Sequence, residues 1–102
     1  MEILFEVKTA TSKVIRTTQS HWELISKLKH PEIEGKETEV KNCLINPVEI
    51  RKSSEDPDVY LYYLPYMQYY ICVVARHLNG DGFIITAYLT DKIKEGEVVW
   101  KK

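Results

Sequence analysis

Cysteine is scarce in this chain: Cys43 and Cys72 are the only two among 102 residues, with no C-x-x-C pair and no clustered histidine beside either. That spacing excludes the common structural zinc motifs. Both thiols sit among apolar residues, the pattern of reduced, buried side chains in a reducing compartment. Charge of one sign is missing too, since 14 Lys+Arg against 15 Asp+Glu leave a net charge of -1. No global positive field exists to draw in a polyanion, so any nucleic-acid contact must come from a local patch. Long hydrophobic runs are absent, and the longest, Tyr69 to Ala75, has the length of a strand. The opening MEILFEVKT carries acids and no extended apolar core, so neither a secretory signal nor a membrane span is expected there. The motifs with strong spacing are missing as well: no Gly-rich phosphate loop, no HExxH and no GxSxG. No carboxylate pair has a histidine at metal-binding spacing, so the reading includes no metal, no cofactor and no membrane.

What remains is the composition of an ordinary globular domain, 44% apolar and 28% charged. Such a chain is not disordered. Its length predicts one domain over residues 1–102, burying roughly two thirds of the surface that the unfolded chain exposes. Together with the cysteines, this points to a cytoplasmic protein.

Along the chain, Ile3, Phe5 and Val7 alternate with Glu2, Glu6 and Lys8, the period of a half-buried strand. A turn through Thr11 and Ser12 leads to a short extended piece, Val14 to Thr17. Ser20 with Glu23 reads as a capping box opening a helix whose buried stripe is Trp22, Leu24, Ile25 and Leu28. That helix must stop by His30, because Pro31 pushes its predecessor out of the helical region. A second helix is predicted from about Lys36, with Val40, Cys43 and Leu44 on one face and Asn46-Pro47 at its end. From Val48 the pattern turns to strands: Val48–Ser53, Val59–Leu64, Tyr69–Leu78 and Phe83–Thr90, with Val98–Trp100 as one more candidate for an edge. The last long pair is joined by Asn79-Gly80-Asp81-Gly82, a hairpin signal. The expected fold class is α+β: an N-terminal strand and two helices followed by a four-stranded antiparallel sheet.

Alternation also sorts the polar side chains. Val48 and Ile50 point one way, leaving Glu49, Arg51 and Ser53 on the other. On the following long strand, Phe83, Ile85, Ala87 and Leu89 form an apolar set opposite Ile84, Thr86, Tyr88 and Thr90. If the apolar sets pack on the helices, Arg51, Ser53, Thr86, Tyr88 and Thr90 share the other sheet face. A guanidinium, hydroxyls and a phenol on one surface suit a phosphodiester: Arg binds phosphate oxygens in a fork, hydroxyls donate to developing charge, and a tyrosine stacks on a base. Thr and Tyr also favour any pleated, half-exposed surface, so a plain solvated face carries the same residues. His30, at a helix–proline junction, is a candidate proton-transfer group or an ordinary capping histidine. His21 and His77 carry weaker signals. The run YLYYLPYMQYY can stack bases, meet a partner, or pair aromatics across strands.

Several segments together resemble a known family. They are HPEI at His30–Ile33, Glu39-Val40, Leu44, Asn46-Pro47, Glu49-Ile50-Arg51 with Ser53, Asp56-Pro57, Val59–Tyr63, Ile71–Val74, and the closing run Gly82–Gly96 with TAYLTDKIK inside it. This pattern is similar to the phage-associated nuclease-like domains grouped with barnase, EndoU, the tRNase colicins and RelE-type toxins. The resemblance spans roughly His21 to Trp100. It implies helices followed by a four-stranded antiparallel sheet, and metal-independent RNA cleavage through attack by the 2′-hydroxyl. It puts His30 on the family's HP histidine, Arg51 and Ser53 on its R-x-S segment, and Thr86, Tyr88 and Thr90 on its terminal strand. The roles implied are proton transfer for His30, phosphate binding for Arg51 and catalysis at Thr90, with Ser53, Thr86, Tyr88 and Lys92 binding substrate. RNA is the implied partner, with an antitoxin or immunity protein where the domain is a toxin or phage-linked effector. Relatives often carry arginine where this chain has Ser54 and Leu64. The rival reading is a non-catalytic module that binds RNA or a protein on the same fold.

Overall fold

The computed structural model describes residues 2–102. Strand β1 (Ile3–Lys8) forms a hairpin with β2 (Val14–Thr18), the turn carrying Ser12 at φ 65°. Helix α1 (Gln19–Glu23) follows directly, and its cap is Thr18, whose hydroxyl accepts from the His21 N–H at 3.2 Å. The cap therefore lies two residues before the expected Ser20. From Leu24 to Lys29 the helix widens to the π form, and the His30 N–H bonds the Ile25 carbonyl at 2.7 Å. A 3₁₀ turn, Pro31–Ile33, leads to α2 (Glu37–Ile45), which buries Val40, Cys43 and Leu44. Then come β3 (Glu49–Lys52), β4 (Val59–Tyr66), β5 (Tyr69–His77), β6 (Asp81–Thr90) and β7 (Glu97–Lys101).

These strands form one seven-stranded mixed sheet in the order β1-β2-β6-β5-β4-β3-β7. The expected four-stranded antiparallel sheet is thus wrong, and the fold is a mostly-sheet α+β with two short helices. The antiparallel meander β3 to β6 is its centre. It is widened on one side by β1 and β2 through a parallel pairing, Val14↔Asp81 to Arg16↔Phe83, and on the other by β7 beside β3. Both additions join segments far apart in the chain. Periodicity marks a segment as extended but carries no trace of which distant strand it will meet.

The helices cover one face. There Ile15, Trp22, Ile25, Ile33, Val40, Leu44, Ile50, Tyr62, Ile71, Val73, Ile84 and Ala87 form the main core. Trp22 lies edge-on to Phe5, with ring centroids 6.2 Å apart. Leu24 and Leu28 do not join this stripe: they are 39% and 76% exposed, whereas Trp22 is 3% exposed. A π turn closes i→i+5 rather than i→i+4 bonds, so each residue advances less far round the axis than the α period requires, which carries Leu28 off the core. Strand β6 departs from simple alternation as well. A bulge opposite Val74/Ala75 lets Ile84 pair with Ala75 while Thr86 pairs with Val74. The extra residue, Ile85, switches the alternation, so Ile84 is buried in the core and Phe83 is 42% exposed. The apolar set on β6 is therefore Ile84, Ala87 and Leu89.

Candidate functional site

On the face without helices, strand register fixes two rows of side chains. One runs Glu49 (β3), Tyr63 (β4), Cys72 (β5), Tyr88 (β6), and the next runs Arg51, Leu61, Val74, Thr86. Leu61, Tyr63 and Cys72 are buried in a second, small apolar cluster with Tyr70, Val74, Tyr88 and Ile93 packed on it. The chain returns from β6 to β7 across this face, since those strands lie on opposite sides of β5, β4 and β3. The return strap, Asp91 to Gly96, therefore roofs part of it. Between strap and sheet lies a cleft of about 500 Å³, lined by Ser53, Ser54, Glu55, Val59, Leu61, Val74 and Tyr88 from below and by Lys94, Glu95 and Gly96 from above.

Beyond Arg16↔Phe83, β2 parts from β6, and the later half of β6 has a free edge. Two groups use it. His21 Nε2 lies 3.1 Å from the carbonyl of the bulge residue Ile85; the carbonyl only accepts, so Nε2 donates. The Pro31–Ile33 turn packs beside β6. It brings His30 round the edge until its ring centroid is 5.4 Å from that of Tyr88. His30 Nδ1 also lies 3.4 Å from a Glu32 carboxylate oxygen.

The residues singled out in the sequence thus fall into two groups. His30 and Tyr88 meet at the β6 edge. Tyr88 and Ser53 line the cleft from its two sides. Arg51 sits at the β3 end, where its Nε donates to Glu49 at 2.6 Å and its Nη1 reaches the Gly96 carbonyl at 3.5 Å. Arg51 and Thr86 occupy one row three strand spacings apart, about 14 Å. His30 is beyond β6 again, so one phosphate cannot touch both His30 and Arg51. Thr86 carries a buried hydroxyl with no hydrogen-bond partner among the described residues. The Thr90 hydroxyl is taken up locally, donating to the Lys92 carbonyl at 3.2 Å, and Lys92 itself is exposed. The Ser53 hydroxyl accepts from the Glu55 N–H at 3.1 Å in the turn after β3.

Burial sets the chemistry of the row. It pushes the Cys72 thiol up to about 12, so this sulfur is no nucleophile at neutral pH. Burial, followed by the neighbouring Cys72, raises the Tyr88 phenol well above its ordinary range, and the same two causes act on Tyr63. Tyr88 therefore stays protonated, able to stack and to donate but not to act as a base. Among the described residues no group of three or more His, Cys, Asp or Glu is placed to hold a metal ion, and no helix is long and apolar enough to cross a membrane.

Periodicity put Glu49 on the face of Arg51 but missed its burial, and it missed the strap. The strap had no signal, because its place follows from the remote pairing of β7. No protein-family model, no curated protein and no solved structure matches the chain. The likeness carried by HPEI and TAYLTDKIK rests on those residues alone.

Proposed function

We propose that the chain is a cytoplasmic, metal-independent ribonuclease-like domain that takes a single RNA strand across the helix-free face of its sheet. The observation that carries this is the His30 imidazole packed against Tyr88 at the edge of a cleft that also holds Ser53. In this reading His30 takes the proton of a 2′-hydroxyl. That oxygen attacks the adjacent phosphorus, and the P–O5′ bond breaks as the 5′-oxygen takes a proton from water, giving a 2′,3′-cyclic phosphate. Tyr88 stacks on the base, and Thr86 supports that face from the neighbouring row, its hydroxyl buried and unpartnered among the described residues. Thr90 and Lys92 form the rim. Arg51 lies too far along its row to hold the scissile phosphate with His30, so it anchors a neighbouring phosphate of the same strand. As a toxin or phage-linked effector, such a domain would be held in check by a cognate antitoxin or immunity protein.

A second reading, binding without cleavage, is favoured by one feature: Glu49 neutralises Arg51, and Glu55 and Glu95 line the cleft. Incubation of the purified protein with total RNA in excess EDTA separates the two. Defined fragments ending in 2′,3′-cyclic phosphate are expected, reduced about 10²–10⁴-fold by His30→Ala, the usual worth of a placed proton-transfer group. His30 is partly exposed and outside the core, so the melting temperature of this variant should stay put. RNA retained without fragments would establish the binding module, and an absolute need for added magnesium would overturn the mechanism.

A further inference from the structure

Glu49 is 6% exposed, on a face whose purpose, in the reading above, is to meet a polyanion. A buried carboxylate there repels phosphate and costs desolvation, so it needs a compensating role. Its geometry supplies one. Glu49 and Arg51 are two apart on β3 and share a face, and the carboxylate takes the Arg51 Nε–H at 2.6 Å. That bond occupies the inner edge of the guanidinium and leaves the outer pair of nitrogens. Of these, Nη1 makes only a long 3.5 Å contact to the Gly96 carbonyl, and Nη2 has no hydrogen bond among the described residues. The guanidinium is a planar fork, so fixing Nε fixes the direction in which both Nη groups present their donors. Tyr63, directly opposite Glu49 in the register, is buried and walls the carboxylate in.

We propose that Glu49 is a positioning residue: it orients Arg51 so that the outer edge of the guanidinium forms a two-pronged phosphate anchor over β3. The inference rests on the proposed RNA-binding face and adds the residue that organises it. An arginine without such a clamp must freeze its rotamers when it binds, and that loss is charged against affinity. The clamp removes it in advance.

The test is binding of a short oligodeoxythymidylate, which lacks the 2′-hydroxyl and so cannot be cleaved, by the full chain and its variants at fixed low salt. Glu49→Gln keeps a carbonyl oxygen to accept from Nε while deleting the charge; Glu49→Ala deletes both. Positioning predicts that Glu49→Gln binds within about 2-fold of the parent, while Glu49→Ala and Arg51→Ala each bind about 10-fold more weakly, the worth of one freely rotating side chain. A slowly exchanging Arg51 Nε–H resonance should persist in the parent and Glu49→Gln and vanish in Glu49→Ala. If both Glu49 variants bind more tightly than the parent, the carboxylate merely neutralises Arg51 and the proposal fails. It fails also if both bind like the parent and only melting temperature falls. Should the parent cleave RNA while these patterns are missed, the positioning role alone is lost. A parent that does not bind the oligonucleotide at all takes the RNA face down with it.

Discussion

His77 differs from His30 only in where its ring ends up. The ring is buried, stacks on Tyr60 at 4.0 Å between centroids, and shares a 2.7 Å hydrogen bond with the Tyr62 hydroxyl. Burial, and then the nearby Lys13, lower its pKa to about 4. The unfolded chain therefore takes up this proton first, at the ordinary histidine value near 6.5, and the folded state only near 4. Stability from a neutral His77 is fully present above about pH 6.5 and is lost as pH falls toward 4, by about 3 kcal/mol across that window. Melting temperature should drop over this range in the parent and drop less in His77→Gln, which cannot titrate. An unchanged slope in the variant would show that the imidazole is already charged in the fold. Nothing in the sequence distinguished His77 as the buried histidine except its place at the end of an apolar strand, which alternation alone reads either way.

Two elements depart from their ideal period, and both departures moved side chains between faces. In the helix, the α period groups Trp22, Ile25 and Leu28, but the π turn after Leu24 keeps only the first two buried. Trp22→Ala should cost about 3–5 kcal/mol as a core truncation, while Leu28→Ala should stay within about 0.5 kcal/mol. In β6, the bulge at Ile85 exchanges Phe83 for Ile84 in the core. Ile84→Ala is expected to cost about 2–5 kcal/mol in denaturant melts and Phe83→Ala about 1 kcal/mol or less, an order opposite to the simple alternation. Equal losses at the two positions would remove the bulge. What was legible follows from the same point. Thr86, Tyr88 and Thr90 all lie on the C-terminal side of the bulge, where alternation from Ala87 and Leu89 holds, so their common face could be read from sequence. Residues before the bulge could not be, because a one-residue insertion leaves no mark in a run as uniformly apolar as Phe83 to Ile85. Helix α2 was readable throughout because Val40, Cys43 and Leu44 keep the ordinary period up to Asn46-Pro47.

At the scale of the whole molecule, the meander β3 to β6 rests on local hairpins, while the outer strands depend on long connections. The strap and β7 are the clearest case. To lie beside β3, β7 must be reached by crossing the helix-free face, and Gly96 ends that crossing at φ 81°. Only glycine adopts this conformation freely, and an L side chain there costs about 1–2 kcal/mol from the backbone alone. A Cβ at Gly96 would also collide with the Lys52 carbonyl, so the strap passes against the β3 backbone with no space between. Gly96→Ala should therefore loosen β7 and lift the strap while sparing the meander. Hydrogen exchange is expected to rise in Glu97–Lys101 and to stay slow in β4 and β5, because the pairing of those strands with each other and with β6 does not involve Gly96. The thermal transition should shift down by several degrees, and the Arg51 contact to the Gly96 carbonyl should be lost with the strap. Uniformly faster exchange across all seven strands would mean that β7 and the meander open as one cooperative unit. Unchanged exchange in β7 would mean that the strap tolerates a side chain at Gly96, and the close approach to β3 would have to be abandoned.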